Sequence, residues 1–167
     1  AEGISELTDV GIDGPVTFGL NPGTYSGFSL TAISGTSPSS YFTLESATND
    51  STDVIIEGTI TIHTVEFVKI KQLTVETGNN RSFYIYKCRF LYIENCAIES
   101  DYDEGGISDA AVHIMHYWNG ETYFSSVTFQ FCSFNSPAPN MVSRGQIGTT
   151  SCFDSEFTTD DGDFCIY

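Results

Sequence analysis

A short phrase of inward and outward slots, I-x-x-[L/C]-x-[V/I], occurs twice between Phe67 and Glu99. It falls at Ile70, Leu73 and Val75, and again at Ile93, Cys96 and Ile98, an offset of 23 residues. Apolar residues alternate around both copies, at Val68, Ile70, Leu73 and Val75 and then at Leu91, Ile93, Cys96 and Ile98. Alternation of this kind marks a strand with one buried face. A strand-built repeat needs about this many residues to come back to its starting position. The rest of the chain is therefore expected to supply more turns of the same coil.

Composition agrees with strands. Phe, Tyr, Ile, Val and Thr are plentiful, and Lys is scarce. A chain of 167 residues reads as one domain spanning 1–167, with 1–14 as an N-terminal arm or first partial turn. No apolar run is long enough to span a membrane as a helix. The opening AEGISEL has neither a basic region nor an apolar one, so no signal peptide is expected within it. The formal charge is −16, from 22 acids against 6 bases. Such a surface repels nucleic acid, and it repels an anionic polysaccharide unless cations intervene. Low Lys with abundant Thr, Ser, Gly and Asn points to an extracellular or cell-surface protein. Five cysteines, at 88, 96, 132, 152 and 165, leave at least one unpaired, and there is no C-x-x-C.

Taken in order, residues 16–30 read VTFGLNPGTYSGFSL: Val16, Phe18 and Leu20 alternate, Asn21-Pro22-Gly23 turns, and Tyr25, Phe28 and Leu30 resume. A strand, then P-G-T-Y, then a second apolar strand resembles the opening turn of right-handed parallel β-helix proteins of the pectin-lyase-like class. DVIIEGTITI, residues 53–62, resembles another phrase of that class. The resemblance implies an all-β chain folded as a right-handed parallel β-helix, an open-ended solenoid of about six turns. Phe129, Cys132 and Phe134 refill the slots, and Thr149 and Cys152 follow, with Asp154 in the last slot. In this alignment Leu73, Cys96, Cys132 and Cys152 form one column, in which the three cysteines are read as small packed thiols; the strand spacing also suits a disulfide, but directly stacked side chains fit its dihedral poorly. A second column runs through FYIY (83–86), VHIM (112–115), MVSR (141–144) and FCIY (164–167). Residues 100–110 and 116–122 read as the longer loops. The rival architecture is an antiparallel sandwich or jelly roll, against which Asn119-Gly120 is the only Asn-Gly.

For chemistry, the resemblance implies two enzymatic possibilities. Lyases of this fold use a Lys or Arg base beside calcium-binding acids, and its glycosidases use clustered Asp residues. Here Lys69 and Lys71 share an outward face, and Lys87 and Arg89 fall about one period later, so the four could form a basic stripe or simply offset Glu66 and Glu94. His63 is isolated, while His113 and His116 fall on opposite faces of a strand. Two acidic loops, Asp101, Asp103, Glu104 and Asp109, and Asp160, Asp161 and Asp163, supply the oxygens calcium takes, so calcium is the one cofactor to consider. Neither loop has the EF-hand spacing. Asn49 and Asn80 head N-x-S sequons. No catalytic residues stand out, and the chain is expected not to be an enzyme.

The last residues, DFCIY, read as an unfinished turn with Phe164, Ile166 and Tyr167 still apolar, and Val16 and Phe18 mark the first. The expected function is an extracellular structural protein, a subunit of a fibre or surface appendage that stacks end to end with copies of itself. The alternative is a carbohydrate-binding or polysaccharide-degrading module, with Tyr84, Tyr86, Tyr92, His113 and Trp118 lining a glycan groove.

Overall fold

The alternating stretches become strands. The computed structural model describes residues 10–78, 80–101, 111–115, 117–118, 121–122, 125–137, 141–144 and 148–159. In chain order come β1 (Val16–Leu20), β2 (Gly23–Ser26) and β3 (Ser29–Leu30), then β4 (Phe42–Ser46), β5 (Val54–Glu57) and β6 (Ile60–His63). Next are β7 (Glu66–Lys71), β8 (Thr74–Thr77) and β9 (Phe83–Tyr86), then β10 (Arg89–Glu94), β11 (Ala97–Ser100) and β12 (Val112–Met115). A short antiparallel pair, β13 (Tyr117–Trp118) and β14 (Glu121–Thr122), flanks Asn119-Gly120. After it come β15 (Ser125–Gln130), β16 (Ser133–Ser136) and β17 (Met141–Arg144), then β18 (Gly148–Phe153) and β19 (Glu156–Thr159).

The chain visits three sheets in rotation. The first is ordered β1-β4-β7-β10-β15-β18, the second β2-β5-β8-β11-β16-β19 and the third β3-β6-β9-β12-β17. Pairing within all three is parallel. The protein is thus all-β with three sheets of parallel strands, an arrangement consistent with a β-helix-like fold, and not an antiparallel sandwich. The 23-residue offset is the register itself: Ile70 pairs with Ile93 and Val75 with Ile98.

Register also corrects one column. Cys152 pairs with Phe129, three positions before the expected slot. The residue that follows Leu73, Cys96 and Cys132 is Ser155, whose hydroxyl accepts from the Cys132 N–H at 3.3 Å. Asp154 does not face inward but occupies the corner, at φ 46. The phrase in this round is therefore Cys152, Ser155 and Phe157, with Phe157 paired to Phe134. The second column stands for its first three members, β9, β12 and β17, and its fourth lies outside the described residues.

Inward side chains of one type stack between rounds. Leu44, Ile70, Ile93 and Phe129 form such a column in the first sheet, Ile56, Val75, Ile98 and Phe134 in the second, and Leu30, Ile62, Ile85 and Ile114 in the third. All are at most 1% exposed. Each such burial contributes about 1.5–3 kcal/mol. Phe129 and Phe134 meet edge-to-face across the core at 5.5 Å.

Corners from the first sheet to the second pass through a left-handed residue: Gln72 (φ 54), Asn95 (φ 51), Phe131 (φ 54) and Asp154 (φ 46). Asn and Asp tolerate this region, whereas Gln and Phe pay roughly 1–2 kcal/mol. In the P-G-T-Y phrase Gly23 has φ 153, as its position required. Gly27 is needed for a different reason, since a Cβ there would lie 2.6 Å from the Thr59 carbonyl oxygen of the next round.

Phe42 is fully buried and Thr43, its neighbour, points outward. Phe42→Ala should therefore cost about 3–5 kcal/mol in urea or thermal unfolding, and Thr43→Ala no more than about 0.5 kcal/mol. Equal effects at the two positions would contradict the alternation.

Candidate functional site

Outward side chains face solvent, and parallel register decides which of them meet. On the first sheet Glu45, Lys71 and Glu94 align. The Lys71 ammonium lies 3.7 Å from Glu45 Oε2 and 3.9 Å from Glu94 Oε2. Arg89 reaches Glu66 at 3.3 Å. Surface pairs of this kind are worth about 0–1 kcal/mol each. Lys69 sits over the rings of Tyr41 and Tyr92, at 5.0 and 5.7 Å. Beside them Phe67 and Phe90 stack, with centroids 4.7 Å apart and an interplanar angle of 9°. Burial pushes the Tyr41 phenol up, helped by Tyr92. The four bases therefore form no stripe. Tyr92 and Glu94, not Lys87 and Arg89, are the neighbours of Lys69 and Lys71.

On the second sheet Glu57, Glu76 and Glu99 stack in register, followed by Asn135. With Asp101, Gly58, Gly78, Thr77 and Ser100 they line an open groove of about 490 Å³. Among the described residues, no Lys, Arg or His belongs to that lining. Its wall is held by hydroxyls that are nearly all buried. Thr77 Oγ1 and Ser100 Oγ donate to the Asn80 carbonyl at 2.7 and 2.8 Å, and Ser82 Oγ donates to the Glu99 carbonyl at 2.8 Å. The sequence reading missed this groove, because nothing in a linear pattern brings residues 57, 76 and 99 together. Among the described residues, no three His, Cys, Asp or Glu side chains converge closely enough to hold a metal ion.

On the third sheet the His63 and Tyr86 rings stack at 5.0 Å and 7°. Tyr84 meets His113 edge-on at 5.5 Å and donates to Met115 Sδ at 2.9 Å. Burial pushes the Tyr84 phenol up, and the charge of Arg81 partly offsets this.

The expected glycan groove is thereby divided. Tyr84, Tyr86 and His113 share the third sheet, Tyr92 lies on the first, and Trp118 belongs to β13. Of the two acidic loops, Asp101 lies at the rim of the carboxylate groove. Asp103, Glu104, Asp109, Asp160, Asp161 and Asp163 fall outside the described residues, as do Phe164, Ile166 and Tyr167. Asn49 is exposed in a left-handed turn at φ 60. Asn80 is exposed too, but Ser82 of its sequon is fully buried. Val16 and Phe18 lie on β1 and pack, half-buried, on the core. Cys88, Cys96 and Cys132 are buried free thiols and Cys152 is partly exposed. Burial pushes Cys88 up to about 12 and Cys152 up to about 11. Among the described residues, no helix is long and apolar enough to cross a membrane.

Comparison with protein-family models, curated proteins and solved structures found no match.

Like charges directly opposed in a sheet are destabilising. Glu76→Gln removes the middle charge of the Glu57, Glu76, Glu99 ladder and should raise stability by about 0.2–1 kcal/mol at low salt. The gain should fade toward 1 M salt, where the screening length is only about 3 Å. Chemical denaturation of the two proteins at low and high salt measures it. Destabilisation by this substitution would mean that the ladder is not repulsive.

Proposed function

We propose that the three sheets close into a right-handed parallel β-helix, an open-ended solenoid of about six turns, and that the protein is an extracellular structural module that associates end to end with copies of itself. Right-handedness follows from the strong preference of parallel crossovers for that hand. One observation carries the assembly reading: the distribution of charge over the edge strands. Among the described residues the sheets terminate at β1, β2 and β3 on one side and at β17, β18 and β19 on the other. The first three strands contain no charged residue, and the last three contain only Arg144 and Glu156, in a chain with 22 acids. Natural proteins protect free edges with charges, especially Lys. Among the described residues the strand charge is concentrated on interior strands and sparse on these edge strands. Half-buried Val16, Phe18, Tyr25 and Phe28 add apolar surface at the first edge. A head-to-tail contact of this type does not close on itself and generates a filament. For the glycan-binding alternative, the supporting observation is the pair Tyr84 and Tyr86 on one sheet, although their outward rings pack mainly against neighbouring side chains.

The reading predicts assemblies that lengthen with protein concentration in sedimentation velocity and negative-stain microscopy. Thr17→Lys with Thr24→Lys, both exposed edge positions, should weaken association by at least ~10-fold, equivalent to about 1.4 kcal/mol, and leave thermal unfolding nearly unchanged. A wild-type protein that stays monomeric at every concentration would rule out the assembly.

A further inference from the structure

Cys96 and Cys132 occupy one position in successive rounds, each directly after a left-handed corner residue, Asn95 or Phe131. The backbone ties them together: Ala97 pairs with Ser133, and the Ser133 N–H donates to the Cys96 carbonyl at 3.0 Å. The Cys132 thiol leans toward the preceding round, while the Cys96 thiol lies nearer the Glu94 carbonyl of its own round, at 3.4 Å. Cys132 Sγ donates to the Ile93 carbonyl at 3.3 Å, and Cys96 Sγ reaches the Ile70 carbonyl at 3.9 Å. Because Ile93 and Cys96 belong to the same round, the lean brings the Cys132 sulfur over the Cys96 side chain. Each cysteine is only 2% exposed. Both nevertheless line an open groove of about 340 Å³, rimmed by Asn95, Phe131, Asp154 and Glu156.

We propose that Cys96 and Cys132 form an oxidation site, at which a small-molecule disulfide installs a cross-link that staples two successive rounds together. Neighbouring strands lie about 4.7–4.9 Å apart, inside the 4.4–6.8 Å Cα separation that disulfides span. Cys132 is the first nucleophile. A hydrogen bond from the Cys96 thiol lowers its pKa against the effect of burial, whereas burial raises Cys96. The Cys132 thiolate attacks one sulfur of the small disulfide. That S–S bond breaks, and the first small thiolate leaves and takes up the proton Cys132 has lost. Cys96 then releases its proton, and its thiolate attacks Cys132 Sγ, expelling the second small thiolate, which is protonated in turn. Two protein thiols are oxidised to one disulfide, and the small disulfide is reduced to two thiols.

The charges around the site choose the reagent. The charge of Glu94 opposes the ionisation of Cys132, and Asp154 and Glu156 line the groove. A cationic disulfide such as cystamine therefore reacts faster than the anionic oxidised glutathione. Cys88 does not line this groove, and Cys152 sits over Phe129, before the corner instead of after it.

The folded full chain is treated with cystamine and cleaved after both Glu and Arg without reduction, since no Lys or Arg separates Cys96 from Cys132 and only Arg144 separates Cys132 from Cys152. The expected product is a peptide pair joined through Cys96 and Cys132 and released by reductant, forming several-fold faster with cystamine than with oxidised glutathione. Cys96→Ser should abolish the cross-link and leave a cysteamine adduct on Cys132, while Cys152→Ser should leave the cross-link intact. The proposal is overturned if Cys96 and Cys132 remain reduced while Cys152 reacts, or if either is joined to a different cysteine. The wild-type peptide map decides this even where a variant fails to fold.

Discussion

Everything else in this molecule depends on in-register parallel pairing between strands one round apart. Once Ile70 is fixed beside Ile93, every other residue of those two strands acquires its neighbours without further choice. Inside, the rule is easily met, because aliphatic side chains stack well on one another. Outside, the same rule places residues together whether or not they attract. The alignment of Glu45, Lys71 and Glu94 gives alternating charge. The alignment of Glu57, Glu76 and Glu99 gives three like charges in a row. One register thus produces a compensated ladder on the first sheet and an uncompensated one on the second.

The corners are where the chain departs from easy backbone geometry. Gln72, Asn95, Phe131 and Asp154 each turn the chain through a left-handed conformation. Phe67 and Phe90 do so inside β7 and β10, where bulky residues carry a real cost. Their stacked rings return part of it. The buried hydroxyls of Thr77, Ser82 and Ser100 serve a related need, because they donate to the Asn80 and Glu99 carbonyls near the next corner and so pair their own buried groups.

The fold was legible because its central phrase repeats at a constant interval with apolar residues in every slot. It became ambiguous where a residue type suits two slots. Cysteine packs equally well in the column of Cys132 and in that of Phe129, so Cys152 could be read three positions out of place. Asp154 held the correction. A carboxylate is a poor inward residue but a good left-handed one, so its presence marks the corner. Surface constellations were hidden for a different reason. Glu57 and Glu76 are 19 residues apart and Glu76 and Glu99 are 23 apart, and only the pairing register shows that they are adjacent. Tyr86 and Tyr92 are close in sequence, yet the corner at Lys87 sends them to different sheets.

The hairpin β13–β14 has a consequence for how such a chain can change. The interval is 23 residues from Ile70 to Ile93, 36 from Ile93 to Phe129, and 23 again from Phe129 to Cys152. About half of the added length falls between β11 and β12 and the rest between β12 and β15, and the pairing of Leu91 with Val127 and of Ile93 with Phe129 is undisturbed. Register is therefore reset by each strand pair and not counted along the chain. An extra segment at either corner costs only the slowly growing entropy of a longer connection. These two corners are where the protein can acquire new surface by insertion while its core is inherited unchanged.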